Sequence, residues 1–176
     1  VLGVYRRDGQ RFVRDHEISS HGVEPHQLVW LPDGETLVVA NGGIRTEAAS
    51  RAALNLEGME SSLVLLQRDG QLISKEQLTQ PLNSVRHLAI ARDGCIVSAQ
   101  QYQGDSTDPS ALLAIKRPGQ AFQPFPIGES QHLAMHQYCA SVAINDDLRL
   151  LALSAPRGNR LFVWDLDSTE LRLEAS

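Results

Sequence analysis

Apolar residues in this chain come in short runs, each stopped by a tight turn. The stretches HQLVWLPDGETLVVAN (26–41), RHLAIARDGCIVSAQ (86–100) and ASVAINDDLRLLALS (140–154) each read as strand, turn, strand. Their turn centres, Gly34, Gly94 and Asp147, lie 60 and 53 residues apart. A second hairpin class alternates with the first: SSLVLLQRDGQLISKEQL, SALLAIKRPGQAFQPFPI and NRLFVWDLDSTELRLEA. The opening VLGVYRRDGQRFVRDHEI matches this second class and has no first-class hairpin ahead of it. Gly and Asp at such turns supply positive φ or side-chain hydrogen bonds. Apolar runs this short and continuous suit strands buried on both faces.

Four strands, a to d, recurring about every 50–60 residues predict a β-propeller. The expected fold class is therefore all-β, with about 3.5 four-stranded blades. A half blade is placed at 1–18 and complete blades at 26–78, 86–127 and 140–175. A β-sandwich is the alternative, but its repeat should be less regular. Helical periodicity is weak throughout, and ESQHLAMHQY is its best candidate. Such a set of blades does not close a ring of the usual size, about 4–8 blades. The expectation is the C-terminal half of a seven-bladed ring, the other blades preceding Val1 or coming from another chain.

Antiparallel alternation sorts the connections onto two faces. The a–b and c–d turns are all tight and share one face. The other face takes the b–c loops NGGIRTEAASRAALNLEGMES, QQYQGDSTDPS and SAPRG, and the d–a connections SSHGVEPH, TQPLNSVRH and GESQHLAMHQYCAS. Loops on a rigid scaffold are where binding groups gather. His26 and Gln27, Arg86 and His87, and Ala140 and Ser141 open the innermost strands at corresponding positions. With Arg45, Tyr102 and Arg157 they predict a polar, positively biased funnel suited to an anionic ligand or an acidic partner surface. The alternative is that these groups satisfy one another around a water-filled channel. In the longest loop, Gly42 and Gly43 let the chain leave its strand sharply. Arg45, Thr46 and Arg51 then lie over the disc, and Leu54 and Leu56 are expected to pin the return, which makes this loop a candidate lid.

Composition narrows the partners. The chain has 176 residues, 42% hydrophobic and 21% charged, as a globular protein should. Its net charge of −5 comes from interspersed residues with no Lys/Arg block. That argues against nucleic acid and against an anionic membrane surface. No apolar run approaches the ~20 residues of a transmembrane helix. The first residues read as a hairpin rather than an export signal, so a processed chain or a fragment is expected. Cys95 and Cys139 fall at opposite faces, too far apart for a bond that needs Cα atoms within about 7 Å, and both are expected to be free.

Candidate chemistry is sparse. His132 and His136 are four apart and would share one face of a helix, a weak metal pair. His16, His21 and His26 are five apart and lead toward the channel. Glu24, Asn41, Asn83 and Asp105 fall on the loop-rich face where a propeller lactonase would hold a divalent cation, but no repeat position is consistently acidic. Ser141 could approach His87, yet no Gly-x-Ser-x-Gly elbow or acid partner supports a triad. Gly42–Gly43 lacks the Gly-Lys-Ser/Thr ending of a phosphate loop. VWD (163–165) is a WD-like strand ending whose expected role is to pack Trp164 between blades.

The loop motifs, taken together, carry a resemblance. SSHGVEPHQLVWLPDGETLVVANGGIRT, RAALNLEGMESSLVLL, SVRHLAIARDG, QQYQGD and SAPRGNRLFVWD resemble an uncharacterised bacterial propeller family, a domain of unknown function. The resemblance covers nearly the whole chain. It implies a longer protein with a twin-arginine export signal and a periplasmic location. It also implies kinship with the seven-bladed amine-dehydrogenase-type superfamily and genes beside imelysin-type iron-uptake proteins. No reaction is implied. The positions it points to are His21, Gly22, Pro25, His26, Asn41, Gly42, Gly43, Arg51, Asn55, Arg86, His87, Tyr102, Pro156, Arg157 and Gly158. The family shows an acidic residue where this chain has Gln27. The resulting expectation is a non-enzymatic binding propeller without a cofactor, capturing a protein partner or a small anion through His21, His26, Gln27, Asn41, Arg45, Arg51, Asn55, Arg86, His87, Tyr102 and Arg157. A metal-dependent hydrolase using the same mouth is the alternative.

Overall fold

The structure, a computed structural model, describes residues 1–50 and 52–176. Arg51, one of the expected binding residues, lies outside the described residues. Strands β1 (Leu2–Asp8) and β2 (Arg11–Ile18) pair as a two-stranded sheet. Three four-stranded antiparallel sheets follow, each a meander in chain order. The first holds β3 (Pro25–Trp30), β4 (Thr36–Asn41), β5 (Ser62–Gln67) and β6 (Leu72–Glu76). The second holds β7 (Asn83–Ile90), β8 (Ile96–Tyr102), β9 (Leu113–Lys116) and β10 (Gln123–Pro124). The third holds β11 (Ser141–Asn145), β12 (Leu150–Ala155), β13 (Arg160–Asp165) and β14 (Leu171–Ala175). This is the architecture of propeller blades, as the repeat predicts. Helix α1 (Glu129–Ala134) is confined to the connection between the second and third sheets.

The tight turns follow their residues. Gly34 and Gly94 take φ of +70° and +83° between the first two strands of their sheets. The third sheet has no glycine there, and Arg149 takes φ +51° instead. Its side chain offsets that conformation by bonding Asp167 and Asp93, which ties the turns of adjacent sheets together.

Three apolar seams join the sheets. Leu2 packs with Leu37, Val39, Val64 and Leu66. Val38, Ala40 and Leu63 meet Val85, Leu88, Ile96 and Ala114 between the first and second sheets. The third seam is the largest and joins the second and third sheets. There Trp164, 1% exposed, stacks on Phe162 at 5.4 Å and meets the edge of Phe125 at 6.0 Å. Trp164 thus packs between sheets, as expected of the WD-like ending. Cys95 and Cys139 are both buried and free. Burial pushes the Cys139 thiol up to about 12, which leaves it an inert core group.

Candidate functional site

The first two inner strands share one irregularity. In the β3/β4 ladder the register skips His26, between Pro25 and Gln27. In the β7/β8 ladder it skips Arg86, between Val85 and His87. A bulge re-aims the side chain it carries and raises the local twist, so both positions leave the ladder at the same height. The rings of His26 and His87 meet edge to face with centroids 4.9 Å apart. Burial and then the Arg86 charge lower the His26 pKa, while burial, His26 and the Arg86 charge lower that of His87, which favours the neutral rings at pH 7.

Arg86 is not a free cation. Its Nε donates to Ser84 Oγ at 3.0 Å, and its Nη1 lies 3.6 Å from Glu24 Oε1. Their side chains are only 15% and 27% exposed. The expected positive funnel is therefore corrected: its central cation faces a carboxylate delivered by the preceding connection, where Glu24 sits at φ +55°. Gln27 is also occupied. Its amide accepts from Leu88 N at 2.9 Å and donates to Leu88 O at 3.3 Å, clasping the next inner strand. A carboxylate at this position could accept but not donate.

The long b–c loop begins as a continuation of the hairpin. Gly42 N donates to Glu24 O and Gly43 N to Val23 O, at 2.8 and 2.9 Å. Gly43 has φ +80° and its missing Cβ would strike the Ser61 backbone. Ser84 Oγ donates to Gly42 O at 2.8 Å, so this loop base is bolted to the second sheet. Beyond it Thr46 and Ala53 face each other in an isolated antiparallel bridge. Leu54 and Leu56 do not pin the loop's return, being 65% and 37% exposed. Asn55 does so instead, with Oδ1 accepting from Arg45 N at 2.6 Å and Nδ2 donating to Gly43 O at 2.9 Å. A short amide that mimics a backbone partner holds a loop more specifically than an exposed leucine. Ile44, at the start of the loop, is buried at 4% exposed. The Arg45 side chain is left exposed.

The other expected residues disperse. His21 (φ +52°) reaches Gly70 O in the β5–β6 turn at 3.3 Å. Asn41 is buried and donates to Ser20 O and Ser62 Oγ. Tyr102 is buried and its hydroxyl donates to Asp108 Oδ2 at 2.7 Å, closing the loop after β8 on itself. Burial and the Asp108 charge raise its pKa.

Arg157 goes elsewhere, to a cleft of about 750 Å³ between the loop after β8 and α1. Its guanidinium lies over the Tyr138 ring at 4.4 Å, a cation–π contact. The cleft is also lined by Thr107, His132, Leu133 and His136 and, among the described residues, by no acidic one. Sequence reasoning singled out Arg157 and both histidines without placing them together. The metal pair is corrected: α1 stops at Ala134 and His136 has φ +47°, so the two histidines do not share a helix face. His132 Nε2 lies 2.9 Å from Ser110 Oγ, in an adjoining cleft of about 490 Å³. Among the described residues no carboxylate bonds the other nitrogen of His132, and no group of three or more His, Cys, Asp or Glu could hold a metal.

The comparisons agree with the geometry. In solved structures, U3-55K is similar over 90% of this chain and 41% of its own, with TM-score 0.61 and 15% identity. The RRP9 WD40 repeats match at TM-score 0.58 and 15% identity, over 89% of this chain and 40% of theirs. Hydrazine synthase of Kuenenia stuttgartiensis matches at TM-score 0.58 and 14% identity, over 91% of this chain and 37% of that one. Such likenesses establish the β-propeller fold, of which this chain spans less than half the length of these structures. No curated protein matches the sequence. All of residues 1–176 match the family described as "Protein of unknown function (DUF1513)", and the chain is a member of that family.

Proposed function

We propose that this chain is a non-enzymatic binding module whose loop-rich face captures a small anion or an acidic protein surface. The observation that carries the reading is Arg157, held over the Tyr138 ring beside a cleft that His132 and His136 also line and that no acidic residue lines among the described residues. A guanidinium fixed on an aromatic ring keeps its charge and its donors while losing little freedom on binding. The mouth of His26, Arg86 and His87 supports the scaffold rather than the capture, because Glu24 already faces Arg86. The Ser110–His132 contact lacks the third group that orients a catalytic base, so it does not favour a hydrolase.

Calorimetric titration of the full chain with citrate and with an acidic peptide tests this reading. Arg157→Ala is expected to weaken binding at least tenfold and Arg86→Ala to leave it within twofold. Absence of binding to both anions, or equal loss in the two variants, overturns it. A periplasmic location and a part in iron acquisition belong to the same proposal and rest on the family resemblance. Cell fractionation tests the first, and growth on limiting iron after gene deletion tests the second.

A further inference from the structure

The seam between the first and second sheets contains polar atoms that nothing in the fold satisfies. Both amide atoms of Asn83, both of Gln100 and the hydroxyl of Ser98 are buried without a hydrogen-bond partner among the described residues. Asn83 is 3% exposed, and Gln100 and Ser98 are fully buried. Gln100 stands opposite Val85 in the ladder and Ser98 opposite Leu88. Val85 and Leu88 pack against Val38 and Leu63, so these polar groups face the first sheet. Buried amides without partners are rare in folded proteins, and each calls for something that completes it.

A pocket of about 240 Å³ opens at this seam, between Met59–Ser61 and Gln77–Asn83, with Asn83 in its lining. Leu82, also in the lining, sits at φ +68°, a conformation an apolar side chain adopts only when its surroundings impose it. Its carbonyl accepts from Gln103 N at 2.9 Å, so the turn is held rather than loose. The lining includes Glu60, Gln77 and Gln80 and, among the described residues, no Lys, Arg or His.

We propose that this pocket binds a small neutral polyol, the size of one sugar residue. A ligand that completes Asn83 must both donate and accept within a short span, and adjacent hydroxyls do both. Glu60 adds an acceptor and disfavours an anion. The volume is about eight times the share of one liquid water, so it admits a molecule rather than a single bridging solvent. The site is separate from the Arg157 cleft and does not depend on the function proposed for that cleft.

Saturation-transfer NMR on the full chain, with D-glucose, D-mannose and D-galactose as probes and ethanolamine as a cationic control, tests the assignment. At least one sugar is expected to bind saturably. Asn83→Ala should weaken it at least tenfold without lowering the denaturation midpoint. Glu60→Gln, an exposed change that leaves folding intact, should weaken it severalfold, and Arg157→Ala should leave it unchanged. No saturable sugar signal, with a lowered midpoint in Asn83→Ala, would mean that ordered water alone completes the seam. Binding of ethanolamine without sugars, or sugar binding indifferent to Asn83→Ala and Glu60→Gln, overturns the proposal equally.

Discussion

Gly43 shows how one residue decides the course of a loop. At φ +80° it gives up its amide to Val23 O while its α-carbon rests against the Ser61 backbone. A methyl group there meets both a conformational and a steric penalty, and the neighbour is main chain that cannot rotate away. Gly43→Ala is expected to destabilise the protein by about 2–4 kcal/mol, measured by urea denaturation. A loss under about 1 kcal/mol would mean that the loop base moves to accommodate the methyl. The Gly-Gly pair made this departure legible in the sequence. What holds the return was not legible, because Asn55 acts through two backbone bonds that carry no periodic signal.

At the scale of elements, the repeated bulge is the feature that matters. Strands β3 and β7 are readable from their apolar runs, and so is the correspondence of His26 with Arg86. The skipped register is not readable, since a bulge adds one residue without changing the composition of a strand. Nor is the pairing of Arg86 with Glu24, which depends on how a connection from the preceding sheet turns. The bulges leave the exposed His26 ring in contact with the half-buried His87 ring, both beside the Arg86 cation. Both rings have folded-state pKa values below their ordinary value of 6.5. They cost nothing while neutral, above the unfolded-state value, and protonation favours the unfolded chain as pH falls below it. Stability should therefore drop between pH 7.5 and pH 5.5, before the carboxylates titrate, and His26→Gln with His87→Gln should flatten that slope. Thermal denaturation across this range checks it, and a double variant with the parent's slope would refute it.

Across the whole molecule, the period of hairpins revealed the propeller because each blade repeats the same burial problem. The distribution of binding groups was hidden, because a loop's destination depends on which neighbour it packs against. Arg157, His132 and His136 come from two connections and converge on one cleft, whereas Tyr102 and Gln27 turn inward to structural partners. The seams differ as well. Trp164, Phe162 and Phe125 fill the one between the second and third sheets, while the one before it carries the unpartnered atoms of Asn83, Gln100 and Ser98. Two surfaces of unequal cohesion imply that the chain does not open all at once. The last two sheets should behave as one cooperative unit and the sheet of β3–β6 as a looser one, detaching in a partial excursion well below the global unfolding energy. Native-state hydrogen exchange should show the amides of β4 and β5 exchanging through that excursion, and those of β8, β12 and β13 only on complete unfolding. Uniform protection across the three sheets would contradict it. A ligand lodged in the weaker seam would then act as a rivet, merging two unfolding units into one.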